Sequence, residues 1–201
     1  MYFFRVLTCR HRDHAARLAL LLEENREGVW SSPGTTLVRA FLEQGSGSTR
    51  LILLLRAQET KGFGQGLSEL PLEGVYRIED IPVLEADYFP LRDAGHGAHQ
   101  LRIYSLKDPG SAWKYMNVHW KRHLTSLPKF GVTVEGIFLE DTSADLTRVI
   151  AVVSYPESAD IQKINKSYMR SFSIFRDMLG FNVTRMAGVE EVTMIAIPVR
   201  C

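Results

Sequence analysis

An internal repetition constrains this chain more than any other feature. Arg5-Val6-Leu7-Thr8 returns as Arg102-Ile103-Tyr104-Ser105, an offset of 97 (102 − 5). Phe41-Leu42-Glu43 returns as Phe138-Leu139-Glu140, again at 97 (138 − 41). Thr49-Arg50-Leu51-Ile52 returns as Thr147-Arg148-Val149-Ile150 at 98 (147 − 49). Ile81-Pro82-Val83 returns as Ile197-Pro198-Val199 at 116 (197 − 81). A near-constant offset across three separated blocks marks two copies of one unit. The step from 98 to 116 leaves the first copy short by 18 residues (116 − 98), the length of a helix, ahead of its last strand.

The second copy reads completely. Gln100 to Leu106 is a strand, and Asp108-Pro109-Gly110-Ser111 is turn chemistry with Asp108 or Ser111 as a helix cap. Trp113, Met116, Trp120, Leu124 and Leu127 keep helical spacing from Ala112 to Leu127, and Pro128 ends the run. Val132 to Glu140 and Arg148 to Ser154 are β-branched runs around the polar stretch Asp141 to Asp145, a hairpin. A second helix opens at Ser158-Ala159-Asp160. It carries Ile161, Ile164, Tyr168, Phe172, Phe175 and Leu179 on one face and ends at Gly180. Glu191 to Val199 closes the unit. The order is βαββαβ.

The first copy has a strand at Tyr2 to Cys9 and a helix from Asp13 to near Glu27. Leu37 to Leu42 and Thr49 to Ala57 form a hairpin through Gly45-Ser46-Gly47-Ser48, and Val75 to Leu84 is the closing strand. Where its second helix belongs, Glu59 to Gly74 holds Gly62, Gly64, Gly66 and Pro71, a composition that resists a regular helix. A βαββαβ unit makes a four-stranded antiparallel sheet with its helices on one face, the ferredoxin-like arrangement. Leu51 to Leu55 and Val149 to Val153 are unbroken apolar runs, so both faces of those strands are buried. The expected fold is therefore α+β, with tandem ferredoxin-like repeats packing their sheets together as an α+β barrel. Its parts are a first repeat at 1–90 with a truncated second helix, a linker at 91–98 and a complete repeat at 99–201.

Charge narrows the partners. Lys plus Arg is 24 and Asp plus Glu is 23, a formal net charge of +1. That balance removes the usual case for nucleic acid or an anionic membrane, which needs a basic excess on one face. There is no apolar run of about 18 residues. The N-terminus is strand-like and lacks the marks of a targeting peptide. Cys9 and Cys201, near opposite ends, read as reduced thiols of a cytoplasmic protein.

Leu101-Arg102-Ile103-Tyr104, with Pro109-Gly110 behind it, resembles the opening of a NIPSNAP domain. Val134-Glu135-Gly136-Ile137-Phe138, with the hairpin strand ending at Tyr155, is similar to that family's hairpin. The resemblance spans residues 99–198. It implies a ferredoxin-like unit of the dimeric α+β barrel group, often in two copies with a degenerate first. Where the family carries Gly and Asn at the hairpin turn and His and Trp on the third strand, this chain has Ala144, Thr147, Ala151 and Val153. The ligand-facing His/Trp pair is thus not carried over. The wider group includes monooxygenases, cyclases and haem proteins, and fold alone does not choose among them.

His119 and His123 stand at i and i+4 on the first helix of the second copy and are the candidate catalytic acid/base residues. The plainer reading makes them half-buried surface histidines beside Lys121 and Arg122, flanking the apolar stripe. With no third ligand at motif spacing, no metal is expected, and no cofactor, with haem an outsider. Tyr104, Trp113, Trp120, Tyr155 and Tyr168 are candidate ligand-lining residues, because Tyr and Trp line apolar pockets while keeping a polar tip. Gly62, Gly64 and Gly66 lack dinucleotide-binding spacing, and no nucleophile elbow is present. The expected partner is a small apolar or aromatic molecule, with no nucleic acid and no membrane, in a homo-oligomer. Two functions fit. One is a cofactor-free oxygenase, cyclase or isomerase, or a binder. The other is a non-catalytic scaffold that forms oligomers.

Overall fold

A computed structural model describes residues 1–24, 34–45, 47, 49–57, 73–92 and 97–198. The described residues are α+β, with eight strands in antiparallel pairing. It divides into two compact units, Met1–Val83 with Thr193–Cys201, and Leu84–Val192.

The first unit holds β1 (Tyr2–Cys9), α1 (Arg12–Glu24), β2 (Thr35–Glu43), β3 (Arg50–Ala57) and most of β4 (Val75–Glu85). Its strand order is β4-β1-β3-β2. Alternation along β1 turns Phe3, Leu7 and Cys9 to one face, where α1 sets Ala15, Leu18, Ala19 and Leu22 against them. Gly62, Gly64, Gly66 and the rest of 58–72 lie outside the described residues, as does Cys201.

The second unit opens with β5 (Ala98–Leu106) and continues through a long helical segment, then β6 (Thr133–Glu140) and β7 (Thr147–Ser154). Helices α4 (Ile161–Met169) and α5 (Phe172–Asp177) follow, and the first half of β8 (Met186–Ile197) completes the unit. The sheet order is β8-β5-β7-β6. The last residues of β8 pair with β2 in the first unit, from Glu43↔Met194 to Ala40↔Ile197.

Two details recur in both sheets. The β2–β3 register slips between Leu37 and Arg39, and the β6–β7 register slips between Val134 and Gly136. At the second bulge a side chain on Gly136 would sit 2.8 Å from Phe138 and 2.9 Å from Leu91, so only glycine fits. Each hairpin is also clamped by a half-buried ion pair. Arg50 Nη2 lies 2.6 Å from Glu43 Oε1, and Arg148 Nη2 lies 2.7 Å from Glu140 Oε1.

The helical expectations need two corrections. The Ala112 to Leu127 helix is not uniform. It begins as α2 (Pro109–Lys114), capped by Asp108 accepting from Ser111 N, and becomes a π-helical segment over Tyr115–Trp120. It resumes as α3 (Lys121–Ser126) and ends in a short 3₁₀ turn at Leu127–Phe130. A π turn closes i→i+5 bonds and so absorbs one extra residue. The buried stripe therefore starts at Ala112 instead of Trp113, which is 58% exposed. The second helix is also broken, between Met169 and Phe172. Ile161, Ile164 and Tyr168 pack inward as expected, but Phe172, Phe175 and Leu179 stand in solvent. The break turns the rest of the expected apolar face away from the sheet.

Candidate functional site

The π segment decides the fate of the two histidines. Instead of flanking the stripe they lie in it, His119 at 1% exposure and His123 at 5%. Both are held through Asp177, the last residue of α5. The His119 ring nitrogen Nδ1 is 3.0 Å from the Asp177 carbonyl oxygen, which can only accept, so Nδ1 carries the proton. Nε2 of a neutral His119 is then a bare acceptor, and it is buried with no hydrogen-bond partner. Burial lowers the His119 pKa, and the nearby Arg122, His123 and Lys114 add to this, despite the raising effect of that carbonyl.

His123 Nδ1 is 2.5 Å from the Tyr168 hydroxyl and 3.4 Å from Asp177 Oδ2. The Tyr168 hydroxyl donates to the same carboxylate at 3.0 Å. Burial alone would raise the Asp177 pKa. Hydrogen bonds from His123, Ser126 and Tyr168 outweigh it and hold the carboxyl well below its usual range. Burial, and next the Asp177 charge, push the Tyr168 phenol far up, so it remains a donor. Arg176 ties the corner down by donating to Ser126 Oγ at 2.8 Å.

A second polar group lies on the helix-facing side of β5. Arg102, 5% exposed, donates from Nη2 to the Tyr155 hydroxyl at 2.6 Å and to Asn165 Oδ1 at 2.8 Å. Its Nε donates to Gln100 Oε1 at 3.0 Å, and its nearest carboxylate oxygen is Glu191 Oε1 at 3.8 Å. Tyr104 lies next to this cation, and Tyr104 in turn neighbours Tyr115. Burial raises the pKa of Tyr104, Tyr115 and Tyr155, so the phenols are proton donors at neutral pH. Aromatic rings join the two polar groups. Tyr104 packs on Tyr115 at 5.1 Å and on Trp120 at 5.8 Å, while Phe181 packs on Tyr115 at 5.0 Å and on His119 at 5.1 Å.

The structure thus brings together His119, His123, Tyr104, Trp120, Tyr155 and Tyr168, and leaves Trp113 outside. Arg102, Tyr115, Asp177, Gln100 and Asn165 were not among the sequence candidates. Arg102 had a visible signal, a cation within an otherwise buried strand. Asp177 had none, since its role depends on where the broken second helix ends. His99 and Glu135 form another buried pair at 3.3 Å. Strand alternation puts His99 on the opposite face of β5 from Arg102.

No family model matches the chain, and no curated protein matches it. Solved structures share its fold. An anthrone oxidase-like protein superposes with a TM-score of 0.65 at 10% identity, covering 99% of this chain and 92% of its own. A protein assigned as a monooxygenase from Lactobacillus acidophilus does so at 0.59 and 11% identity, covering 98% and 93%. A chlorite dismutase from Candidatus Nitrospira defluvii does so at 0.54 and 11%, covering 98% and 92%. The chain therefore has a fold similar to ferredoxin-like, dimeric α+β barrel proteins. These identities carry the fold and no more.

One expectation is overturned here. A fold of this kind with no cofactor was anticipated. The chlorite dismutase neighbour, and a siroheme decarboxylase that matches at a TM-score of 0.52 and 12% identity with 74% of its own chain covered, instead point to a haem-related binding fold. The donor set of the second unit fits such a group. His119 offers a buried imidazole nitrogen with no partner, and Arg102 with its phenols offers a cationic, hydrogen-bonding place for an anionic edge. Among the described residues, no cluster of three or more His, Cys, Asp or Glu could hold a bare metal ion.

Proposed function

We propose that this chain is a small-molecule enzyme or binder, of the oxygenase, cyclase or isomerase type, acting on an apolar or aromatic substrate in its second unit. The observation that carries this reading is His119 Nε2, a neutral and buried nitrogen without a hydrogen-bond partner. In an apolar wall such a lone pair costs free energy unless it meets a ligand. His119 would accept a proton from a substrate or ligate a group bound there. His123, oriented by Tyr168 and Asp177, would be the second base. Arg102 and Tyr155 would orient an anionic oxygen, and Tyr104, Trp120 and Phe181 would exclude water. A haem-type group, if bound, would be held by His119 and Arg102 and would supply redox chemistry.

We also read the two units as tandem copies, a NIPSNAP-like pair in a cytoplasmic homo-oligomer, divided at 1–90, 91–98 and 99–201. The shared strand order supports this, as do bulges 97 residues apart (135 − 38) and the equivalent Glu43–Arg50 and Glu140–Arg148 clamps.

The test is native mass spectrometry and visible absorption of the purified full chain, beside His119→Ala and Arg102→Met variants of unchanged circular dichroism. A co-purifying or added ligand, tetrapyrrole included, should be lost from both. Retention of the ligand by His119→Ala would remove the site. A large oligomer that binds nothing would favour the non-catalytic scaffold instead.

A further inference from the structure

The broken second helix leaves an apolar surface that the proposed site does not use. Met169, Phe172, Phe175, Leu179 and Val183 are between 60% and 78% exposed. Phe172 and Phe175 pack on each other, ring centres 5.9 Å apart, instead of on the sheet. Charge in this stretch is one-sided. Residues 161–185 hold five cations, Lys163, Lys166, Arg170, Arg176 and Arg185, all exposed. The single acid, Asp177, is fully buried. Arg185 pairs with Asp108 and Arg176 turns to Asp177. Lys163, Lys166 and Arg170 have no ion pair among the described residues. Three cations without an ion pair thus share this stretch with the two most exposed aromatic rings among the described residues.

We propose that α4 and α5 form a docking surface for an anionic lipid bilayer. Rings and methionine beside unpaired Lys and Arg match the acyl–headgroup boundary, where apolar groups insert shallowly and cations meet lipid phosphates and carboxylates. A second copy is a poorer occupant. Symmetric pairing through this face would set the same cations against each other, with no exposed acid between residues 161 and 185 and Asp160 alone at the start of α4 to answer them. Among the described residues no helix is long and apolar enough to cross a bilayer, and the attachment proposed is a peripheral one.

The test is sedimentation of the full chain with vesicles of pure phosphatidylcholine and of phosphatidylcholine with phosphatidylserine, beside F172S/F175S and K166E/R170E. All four side chains are exposed, and circular dichroism checks that both variants are folded. The wild type should bind the phosphatidylserine vesicles and release them at high salt. Each variant should bind roughly tenfold or more weakly. If F172S/F175S misfolds, K166E/R170E alone decides. Absent binding, equal binding to neutral vesicles, or binding unchanged in a folded variant overturns the proposal. So does a dimer, seen by analytical ultracentrifugation without vesicle binding, that F172S/F175S separates.

Discussion

His123 Nδ1 lies 2.5 Å from the Tyr168 hydroxyl, and that hydroxyl donates onward to Asp177. The carboxylate therefore anchors His123 partly through a phenol. Removing the hydroxyl in Tyr168→Phe leaves His123 and Asp177 with only their 3.4 Å contact. The loss should cost about 1–2 kcal/mol in urea unfolding. A cost under a few tenths would mean the hydroxyl is dispensable.

Asp177 gives the fold an acid sensitivity of known sign. Its folded-state pKa is depressed, so its contribution is complete above the unfolded carboxylate value, near 4, and is lost as pH falls through the lower folded value. Unfolding free energy measured from pH 7 down to pH 2.5 should decline more gently in Asp177→Asn, from a lower starting point. Parallel curves would contradict the assignment.

His119 should titrate below about 6.5, the value of a free imidazole. Its depressed pKa means the unfolded chain takes the proton first, so this contribution also fades as pH drops below that value. Proton NMR of the His119 ring reads the midpoint directly. A midpoint above 6.5 would place a carboxylate, not a carbonyl, as its controlling neighbour.

Gly136→Ala and Gly188→Ala form a matched pair. At Gly136 the new methyl meets Phe138 and Leu91 inside 3 Å, whereas at Gly188 nothing lies within 4 Å. The first should destabilise by ~1–3 kcal/mol and the second by almost nothing. Thermal melts compare them, with about 2–4 °C expected per kcal/mol for a chain of this size.

Tyr155→Phe probes the Arg102 group. It strips a partner from Arg102 and Gln100 at once and should lower stability by ~1–3 kcal/mol. An unchanged melting temperature would mean that water replaces the hydroxyl without loss.

Strand positions were legible from the sequence because apolar runs and repeated blocks report them directly. Leu51 to Leu55 and Val149 to Val153 fell where β3 and β7 lie. The helices were less legible for local reasons. Nothing in Tyr115 to Trp120 advertises a π turn, since the same residues suit an α-helix. The face they present was therefore misjudged by one position at Trp113. The second helix looked continuous through Phe172 and Phe175 because periodicity counts apolar residues without knowing whether a surface waits for them. His119, His123, Tyr104, Trp120, Tyr155 and Tyr168 were found as residue types suited to a pocket. Asp177 and Asn165 acquire their roles from contacts that include partners 58 and 63 residues away, which spacing along the chain does not report.

The π turn at Tyr115–Trp120 also has a genetic side. Deleting one codon there would let the segment close as an ordinary helix with everything after it still in phase, because the π turn takes up one residue. Closing the same segment as an ordinary helix at its full length would instead rotate everything after it, relative to α2, by about 100°. His119 and His123 would then move together to the flank that the plain heptad rhythm assigns them. The pairing of two buried imidazoles with one aspartate thus hangs on the turn that takes up a single extra residue, a feature that an insertion can create at once and that point substitution cannot.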